Sequence, residues 1–335
     1  LLNMAKRTFQ SLTGMRDIWG EGQKYFQRVY DVVKENADFY GFQKIETPIL
    51  EPAKLFLKGL GLSTDVVQKQ MFVFKTKGKD EVALRPEGTA SIVRSYIEQG
   101  MYSLPQPVKL WYWGPFFRYE RPQLGRFRQF YQFGFEILGR EMSIIDVQII
   151  KICYNILEEL ELKDLLLEIN SIGCLNCRPV YRKVLVSFLR SKKSGLCGDC
   201  KKRLKENPLR ILDCKVQKCQ EIIAPAPQSI DYLCEECHDH FKEVLEFLDE
   251  LELPYFLKTH LVRGLDYYTK TVFEITGKSK EGEKIGALLG GGRYDRLVKL
   301  LGGKQTPACG VAGGVERIIA LMKNQNVKIK EPVGK

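Results

Sequence analysis

Arginine side chains crowd one segment of the chain in a way that suits phosphate binding. Arg118, Arg121, Arg126 and Arg128 lie in and beside a polar loop between two β-rich runs. A guanidinium group can bind phosphate oxygens through two parallel hydrogen bonds. Because alternate residues of a strand share a face, we expect Arg126 and Arg128 to point together. The pattern predicts a phosphate-binding hairpin, and a solvated basic hairpin is the alternative.

Polar side chains also occur where a strand would ordinarily contribute apolar residues to a core. Gln132, Gly134 and Glu136 fall on one face of the second β-rich run, among large aromatic residues. Buried polar groups need hydrogen-bond partners, and a ligand is a simple one. Two further clusters combine charges and hydroxyl groups. Each cluster could bind a small zwitterionic ligand, and the alternative is an ordinary salt bridge at the end of a strand. They are Arg85, Glu87 and Thr89 at a presumed strand-to-helix junction, and Arg263, Asp266, Tyr267 and Tyr268 in RGLDYYT.

The usual motifs for nucleophilic catalysis and nucleotide binding are missing from the sequence. The histidines are His238, His240 and His260, so a Ser-His-Asp or Cys-His centre is poorly supplied. No G-x-x-x-x-G-K-[ST] loop and no dinucleotide fingerprint occurs. The segment GVAGGVERIIALM instead predicts a Gly-rich strand that leads into a helix with Arg317 at its start. Its glycines would let a nucleotide ring or a phosphate approach the backbone closely.

Most of the cysteines lie in one stretch of the chain and are arranged in pairs. The pairs are Cys174 with Cys177, Cys197 with Cys200, Cys214 with Cys219, and Cys234 with Cys237. Four pairs are enough for two tetrahedral sites with four thiolate ligands each, which would bind structural zinc. Free cysteines are also good small core residues, so ordinary packing is the alternative. For Cys153 and Cys309, outside this stretch, we expect packing alone.

Hydrophobic periodicity predicts the elements that position these residues. Helices are predicted over 25–40 and 142–161, with another opening after Arg85 and one over 238–251. Strands are predicted over 42–50, 71–76, 81–84, 108–119, 129–138 and 165–169. The runs 108–119 and 129–138 make a long hairpin joined by the Arg-rich loop.

The net charge of +11 favours a polyanionic partner. A solubilising basic surface is the alternative, so the location of the charge matters. Residues 182–210 are a local polycation, because their lysines and arginines are opposed only by Asp199 and Glu206. The sequence has no signal-peptide pattern and no apolar run of membrane-span length. We therefore expect a cytoplasmic protein without a membrane partner.

Several segments together resemble the histidyl-tRNA synthetases, a family of class II aminoacyl-tRNA synthetases. FRYERPQLGRFRQFYQFGFEILG resembles the second signature of the class, GVAGGVERIIALM the third and FQKIETPILEP the first. LRPEGTA and LVRGLDYYTKTVFE resemble the two segments distinctive of the histidine enzymes, and GMRDI and NPLRILDCK also fit. The resemblance covers residues 9–323. It implies ATP-dependent activation of histidine to histidyl-adenylate, with Mg²⁺, and transfer of the histidine to tRNA(His).

The resemblance implies roles around the nucleotide for residues at matching motif positions. Arg118 and Arg317 would hold ATP phosphates, with Glu120 and Arg121 near the nucleotide. Arg263 would contact the substrate carboxylate and the α-phosphate. The nucleophile is the carboxylate of histidine itself, so the protein needs positioning and charge neutralisation rather than a catalytic histidine.

The resemblance also implies a histidine pocket and a contact with tRNA. The α-amino group would be received by Glu87, Thr89 and Gln132. The imidazole would bind Glu136 and Tyr268, and Tyr267 completes the histidine-binding set. Gln123 and Arg126 would contact the acceptor arm of the tRNA.

The implied fold is α+β, with a class II synthetase-type antiparallel sheet flanked by helices and a mostly helical insertion. We assign 1–169 and 253–325 to the catalytic domain, 170–252 to a Cys-rich basic insertion domain, and 326–335 to a linker stub. The insertion would lie against the tRNA acceptor arm, and the enzyme is expected to be a homodimer. The family normally continues into an anticodon-binding domain, so we expect either a fragment or a protein that works without that domain.

Two other classes of protein are compatible with parts of the sequence. One is a non-catalytic relative, such as the regulatory subunit of the ATP phosphoribosyltransferase of histidine biosynthesis. Arg118, Arg263 and Arg317 and the large insertion argue against it. The other is a zinc-dependent nucleic-acid-binding module, which would account only for residues 170–252.

Overall fold

The computed structural model describes residues 9–121 and 125–329. Its strands are β1 (Gln43–Lys44), β2 (Leu50–Pro52), β3 (Val73–Lys75), β4 (Glu81–Leu84), β5 (Val108–Phe117), β6 (Gln129–Leu138), β7 (Leu165–Ser171), β8 (Tyr255–Leu257), β9 (Thr269–Lys278), β10 (Lys284–Arg293) and β11 (Ala308–Gly314). Its α-helices are α1 (Glu21–Phe39), α2 (Ala53–Leu60), α3 (Thr89–Glu98), α4 (Ile144–Glu159), α5 (Cys177–Ser191), α6 (Gly198–Glu206), α7 (Gln217–Ile223), α8 (Glu235–Glu250), α9 (Leu297–Leu300) and α10 (Val315–Asn324).

One large sheet organises the molecule. Its strand order is β1-β5-β6-β11-β10-β9-β7-β8, and a small separate sheet has the order β2-β4-β3. Neighbouring strands from β5 to β7 are antiparallel, whereas β1 and β8 pair in parallel at the two edges. The sheet is flanked by helices, so the predicted α+β class is confirmed, with two parallel edge pairings that the prediction did not include.

The two faces of the large sheet are used differently. Phe133, Phe135 and Ile137 of β6 pack in a core shared with α1, α4 and α10. The alternate residues Gln132 and Glu136 face the other side, as strand geometry requires. On that side α2, α3 and α9 form a second apolar cluster. The prediction that polar residues of β6 share one face is therefore confirmed.

The predicted strand over 42–50 is wrong as a single element. The chain forms β1, which joins the large sheet, and then β2, which pairs with β4 in the small sheet. Pro48 lies between them. Because proline has no N–H to donate to a neighbouring strand, the ladder is interrupted there and the chain changes sheet.

The predicted insertion over 170–252 contains residues with two kinds of packing. Buried residues between Tyr181 and Ala226 form an apolar cluster of their own, to which α5, α6 and α7 contribute. Asn170 and Ser171, at the start of the range, are the last residues of β7. Near the end of the range, the apolar face of α8 packs in the main core together with α4.

The predicted linker stub over 326–335 lies partly outside the described residues. Val327 and Ile329 pack against the main core. Within the described part of the chain, the helices are too short or too polar to cross a membrane.

Candidate active site

A cavity of about 580 Å³ opens between the second face of the large sheet, the start of α3 and the insertion. Among the predicted site residues, it is lined by Glu87, Thr89, Arg118, Glu120, Arg126, Gln132, Arg263, Tyr267, Tyr268 and Arg317. These residues come from four separate stretches of sequence, 87–89, 118–132, 263–268 and position 317. The sheet therefore brings the predicted arginine, carboxylate and tyrosine clusters together at one place.

The predicted members that do not line the cavity are few. Arg121 is exposed and outside the lining, and Gln123 lies outside the described residues. Glu136 is fully buried behind the cavity wall. Of the predicted site residues within the described part of the chain, Arg121 therefore lies outside the cavity and Glu136 lies behind its lining.

Glu136 is held by two hydroxyl groups at the centre of β6. Thr89 Oγ1 donates to its Oε1 at 2.7 Å, and the hydroxyl of Tyr294 donates to its Oε2. Burial raises the pKa of Glu136 to about 8, although the hydrogen bonds from Tyr294 and Thr89 lower it in part. Gly310 faces Glu136 on β11, and a Cβ there would lie 1.7 Å from Oε2. Only glycine leaves room for this carboxyl group.

Glu87 caps the helix that begins beside it. Its carboxylate accepts hydrogen bonds from the backbone N–H groups of Thr89 at 2.9 Å and Ala90 at 2.8 Å. The first N–H groups of a helix have no partner inside the helix, so a carboxylate is stable there. Burial raises the pKa of Glu87, and these backbone bonds oppose the rise. Tyr267, whose ring lies 4.6 Å from that of Tyr268, donates to Glu87 at 3.4 Å.

Arg263 supplies the buried cation of the cavity. Its Nη1 donates to Glu274, and its guanidinium carbon lies 5.8 Å from the ring centre of Tyr268. A Cβ at Gly290 would lie 2.4 Å from Arg263 Nη2, so glycine is needed beneath it. The buried Nε of Arg263 and the buried Oε1 of Gln132 have no hydrogen-bond partner among the described residues. A ligand with an acceptor and a donor would satisfy both.

Arg118, Arg126 and Arg317 all line the cavity and lie close enough to one another to interact electrostatically. Arg118 Nε donates to Pro86 O at 2.8 Å, and Arg317 Nη1 donates to Ala287 O at 2.7 Å. Burial lowers the pKa of Arg317, and the nearby cations Arg126 and Arg118 lower it further. Repulsion among these cations would be relieved by a bound polyanion.

The prediction that Arg126 and Arg128 point together is wrong. Both precede β6, so strand alternation does not apply to them. Arg126 lines the cavity and lies 3.5 Å from Glu120. The guanidinium of Arg128 instead stacks 3.8 Å from the ring centre of Tyr119.

Arg85 and Asp266, singled out with the site clusters, do not line the cavity. Arg85 Nη1 donates to Thr47 O at 2.7 Å and so ties the end of β4 to the loop between β1 and β2. Asp266 accepts hydrogen bonds from Ser63 at 3.0 Å and Asn207 at 2.8 Å. Both are anchors of loops that carry site residues.

Sequence reasoning missed the partners of Glu136 and Arg263. Tyr294 follows the glycines of LLGGGRYDRL, which marked a close approach of backbone but no hydroxyl role. Glu274 lies in the matched segment LVRGLDYYTKTVFE, and its strand position was the available signal. Tyr112 was also missed; its buried hydroxyl has no partner within the described part of the chain.

The cysteines form two separate sets of four. The first set is Cys174, Cys177, Cys234 and Cys237, and the second is Cys197, Cys200, Cys214 and Cys219. Within each set, the Sγ atoms all lie within 4.8 Å of one another. The outer two pairs of the sequence thus meet, and so do the inner two. Both sets have the donor type and number of a tetrahedral thiolate site.

Comparisons with known proteins identify relatives of this chain. The family model of histidyl-tRNA synthetase matches residues 14–318. The histidine–tRNA ligase of Thermodesulfovibrio yellowstonii is 48% identical over 325 residues, which cover 97% of this chain and 77% of that protein. The ligase of Aquifex aeolicus is 46% identical over 320 residues, covering 95% of this chain and 78% of that protein.

Solved structures with a similar fold are also known. The apo histidyl-tRNA synthetase of S. aureus has a TM-score of 0.79 and 35% identity, covering 96% of this chain and 75% of that one. A Bacillus halodurans protein, described as an ATP phosphoribosyltransferase regulatory subunit/histidyl-tRNA synthetase, shares the fold with a TM-score of 0.69. Its sequence is 22% identical, and the match covers 95% of this chain and 84% of that one. The chain therefore belongs to the histidyl-tRNA synthetase family, whose members are histidine–tRNA ligases.

Proposed function

We propose that the cavity binds histidine beside Glu87 and Arg263. The ATP phosphates would bind beside Arg118 and Arg317. The observation that supports this most is the pair of buried atoms without partners, Gln132 Oε1 and Arg263 Nε. One is an acceptor and the other a donor, which matches the ammonium and carboxylate groups of an amino acid. Leaving such atoms unpaired costs free energy that a bound ligand would recover.

The α-ammonium group would bind the acceptors Gln132 Oε1 and Glu87, with Thr89 beside them. The imidazole would bind Tyr268 and Glu136. Because Thr89 now donates to Glu136 at 2.7 Å, an imidazole N–H reaching this carboxylate would compete with the Thr89 hydroxyl. A buried carboxyl group that pairs with an imidazole N–H rejects side chains lacking one, because its hydrogen-bond acceptor would stay unpaired.

In the first step, a carboxylate oxygen of histidine attacks the α-phosphorus of ATP. The new O–P bond forms as the bond to the β-phosphate oxygen breaks, and pyrophosphate leaves. Arg263 would neutralise charge at the carboxylate and the α-phosphate, while Arg118 and Arg317 would hold the outer phosphates. In the second step, a terminal ribose hydroxyl of tRNA(His) attacks the carbonyl carbon of the adenylate, and AMP leaves.

The cavity also has groups that fit Mg²⁺. The carboxylates of Glu120 and Glu274 line it. Mg²⁺ is commonly bound by one or two carboxylates together with substrate phosphates. When bound, it would neutralise phosphate charge. We propose that Glu120 holds it, because the carboxylate of Glu274 is already paired with Arg263.

A basic groove on the insertion would receive the tRNA acceptor arm. It has a volume of about 620 Å³, and its charged lining consists of Arg182, Lys183, Arg190, Lys193 and Lys205. Contacts to phosphates position a nucleic acid without reading its sequence. Arg126, at the cavity itself, would contact the acceptor end. We also propose that the protein is a homodimer and that it works in the cytoplasm, as expected for this family. Sedimentation equilibrium of the purified chain tests the dimer.

Each cysteine set would bind one Zn²⁺. Four thiolates in mutual contact suit this ion, whereas the alternative of plain packing needs no metal. Two zinc ions per chain, measured by elemental analysis of the purified protein, are the expected result. A metal-free folded chain would favour packing.

Histidine-dependent exchange of pyrophosphate into ATP tests the proposed site. The purified chain should catalyse it with histidine and not with other amino acids. Binding of histidine without any exchange would instead favour the non-catalytic relative, such as a regulatory subunit.

A further inference from the structure

The inner segment of the insertion contacts the catalytic domain beside the cavity. This segment, here called the clasp, runs from Cys197 to Cys214 and contains α6 and the 3₁₀ turn Pro208–Ile211. Arg203 Nη2 and Arg210 Nη2 donate to Asp65 Oδ2 at 2.8 Å and 2.9 Å.

Two further contacts reach the loop that carries the buried cation of the cavity. Asn207 Nδ2 donates to Asp266 Oδ1 at 2.8 Å, and Arg210 Nη1 donates to the carbonyl of Gly264. Gly264 follows Arg263, and Asp266 precedes Tyr267. The clasp therefore holds the loop directly beside the groups that line the cavity.

The second cysteine set lies at both ends of the clasp. Cys197 and Cys200 are at the start of α6, Cys214 is at the far end, and Cys219 comes from α7. The clasp contributes few apolar side chains to a core, chiefly Cys200, Leu204, Ile211 and Cys214, and two of these four are cysteines. Short segments with small cores depend on cross-links or metals for a defined shape, and metal binding then contributes directly to folding.

The first cysteine set has a different place. It joins the start of α5 to the start of α8, where the chain leaves the large sheet and returns to its helices. A metal there would close the base of the insertion. It would not by itself set the position of Asn207 and Arg210.

We propose that a Zn²⁺ bound by Cys197, Cys200, Cys214 and Cys219 positions the histidine-binding loop through the clasp. Asn207 and Arg210 are the positioning residues, and Arg263, Tyr267 and Tyr268 are the groups they position. Loss of the metal loosens the clasp, and histidine binds more weakly although none of its own contacts has been removed. This inference rests on the proposed assignment of the cavity as the histidine site.

The first test is Cys219→Ser, measured by zinc content and by calorimetric titration with histidine. Cys219 is buried and does not line the cavity. The variant should lose one zinc ion per chain and bind histidine about tenfold more weakly, since a small misplacement of positioning groups has effects of this order or larger. Zinc loss with unchanged histidine affinity would overturn the inference, as would a parent protein without zinc.

The second test leaves the cysteines intact and so does not depend on folding of a metal-site variant. Asn207→Ala should keep its full zinc content, raise the histidine dissociation constant several-fold and speed hydrogen exchange over residues 263–268. The matched control is the neighbouring Glu206→Gln, an exposed side chain 3.9 Å from Lys202, which should change none of these quantities. Equal behaviour of Asn207→Ala and Glu206→Gln would overturn the inference.

Failure of the proposed function gives a different result. A parent chain that lacks histidine-dependent pyrophosphate exchange would contradict the assignment of the cavity. Normal exchange in the parent, together with unchanged hydrogen exchange at 263–268 in both variants, would contradict only the clasp.

Discussion

The cations of the cavity and those of the basic groove on the insertion carry the same charge in opposite surroundings. The side chain of Arg263 is 19% exposed and pairs with Glu274, and Arg317 donates to a backbone carbonyl. Arg182 and Lys183 are exposed, and no ion pair is found for them within the described residues. Buried charges act over short distances through fixed geometry, whereas exposed charges act at longer range and are screened by salt. The cavity is thus built to position a ligand, and the insertion to attract one.

Removal of the buried cation should have the largest effect. Arg263→Ala should slow histidine-dependent pyrophosphate exchange by about 100-fold or more, because a fixed positive group would be lost where charge develops. Arg263→His should behave alike. The unfolding temperature of each variant shows whether the fold is kept.

The same variant leaves Glu274 without its cation, which has to be separated from lost catalysis. The double variant Arg263→Ala with Glu274→Ala removes both charges. If exchange recovered in the double variant, the loss would stem from an unpaired carboxylate. Near-normal exchange in folded Arg263→Ala would contradict the assignment outright.

At about pH 9, above the pKa of about 8 that burial gives Glu136, Glu136→Gln should weaken histidine binding by about tenfold or more, since hydrogen bonds to a charged group contribute more than neutral ones. Calorimetric titration with histidine measures this. The control is Glu51→Gln, which alters a buried carboxylate paired with Arg94 at 2.7 Å. An unchanged affinity in Glu136→Gln would place the imidazole elsewhere.

Exposed charge should be felt through salt dependence instead. Arg182→Gln with Lys183→Gln should leave pyrophosphate exchange unaltered and lower the slope of log affinity for tRNA against log salt by up to about 2. Lys34→Gln with Lys242→Gln removes two exposed cations, each placed beside an acidic residue one helical turn away. If both pairs of substitutions acted alike, the basic groove would be an ordinary solvated surface.

A smaller effect concerns stability and pH. Burial raises the pKa of Glu136 from 4.5 to about 8, so its ionisation opposes folding. The free-energy penalty of ionising Glu136 in the folded protein is absent below pH 4.5, grows as pH rises from 4.5 to about 8, and is constant above about pH 8. Glu136→Gln should therefore gain unfolding temperature relative to the parent between pH 5 and pH 8, by about 2 °C or more. A difference that does not vary with pH would contradict the raised pKa.

The sequence predicted much of the site because its signals are local. Strand alternation placed Gln132 and Glu136 on one face, and family motifs identified Arg118, Arg263 and Arg317 as cavity residues. The same local rule failed for Arg126 and Arg128, because the strand begins after them. Nearness in sequence also failed for Asp266, which was grouped with Arg263 but contacts Ser63 and Asn207, far away in sequence.

The sequence by itself determined the family and the α+β class through the resemblance of its motifs to known synthetases, and residue spacing and composition determined the cysteine pairs and the basic character of the insertion. Tertiary structure alone decided which cysteine pairs meet, that Tyr294 and Thr89 hold Glu136, and that the clasp contacts the loop after Arg263. The physical reason is distance along the chain. Periodicity and spacing report neighbours a few residues apart, whereas these contacts join segments that only the folded sheet brings together.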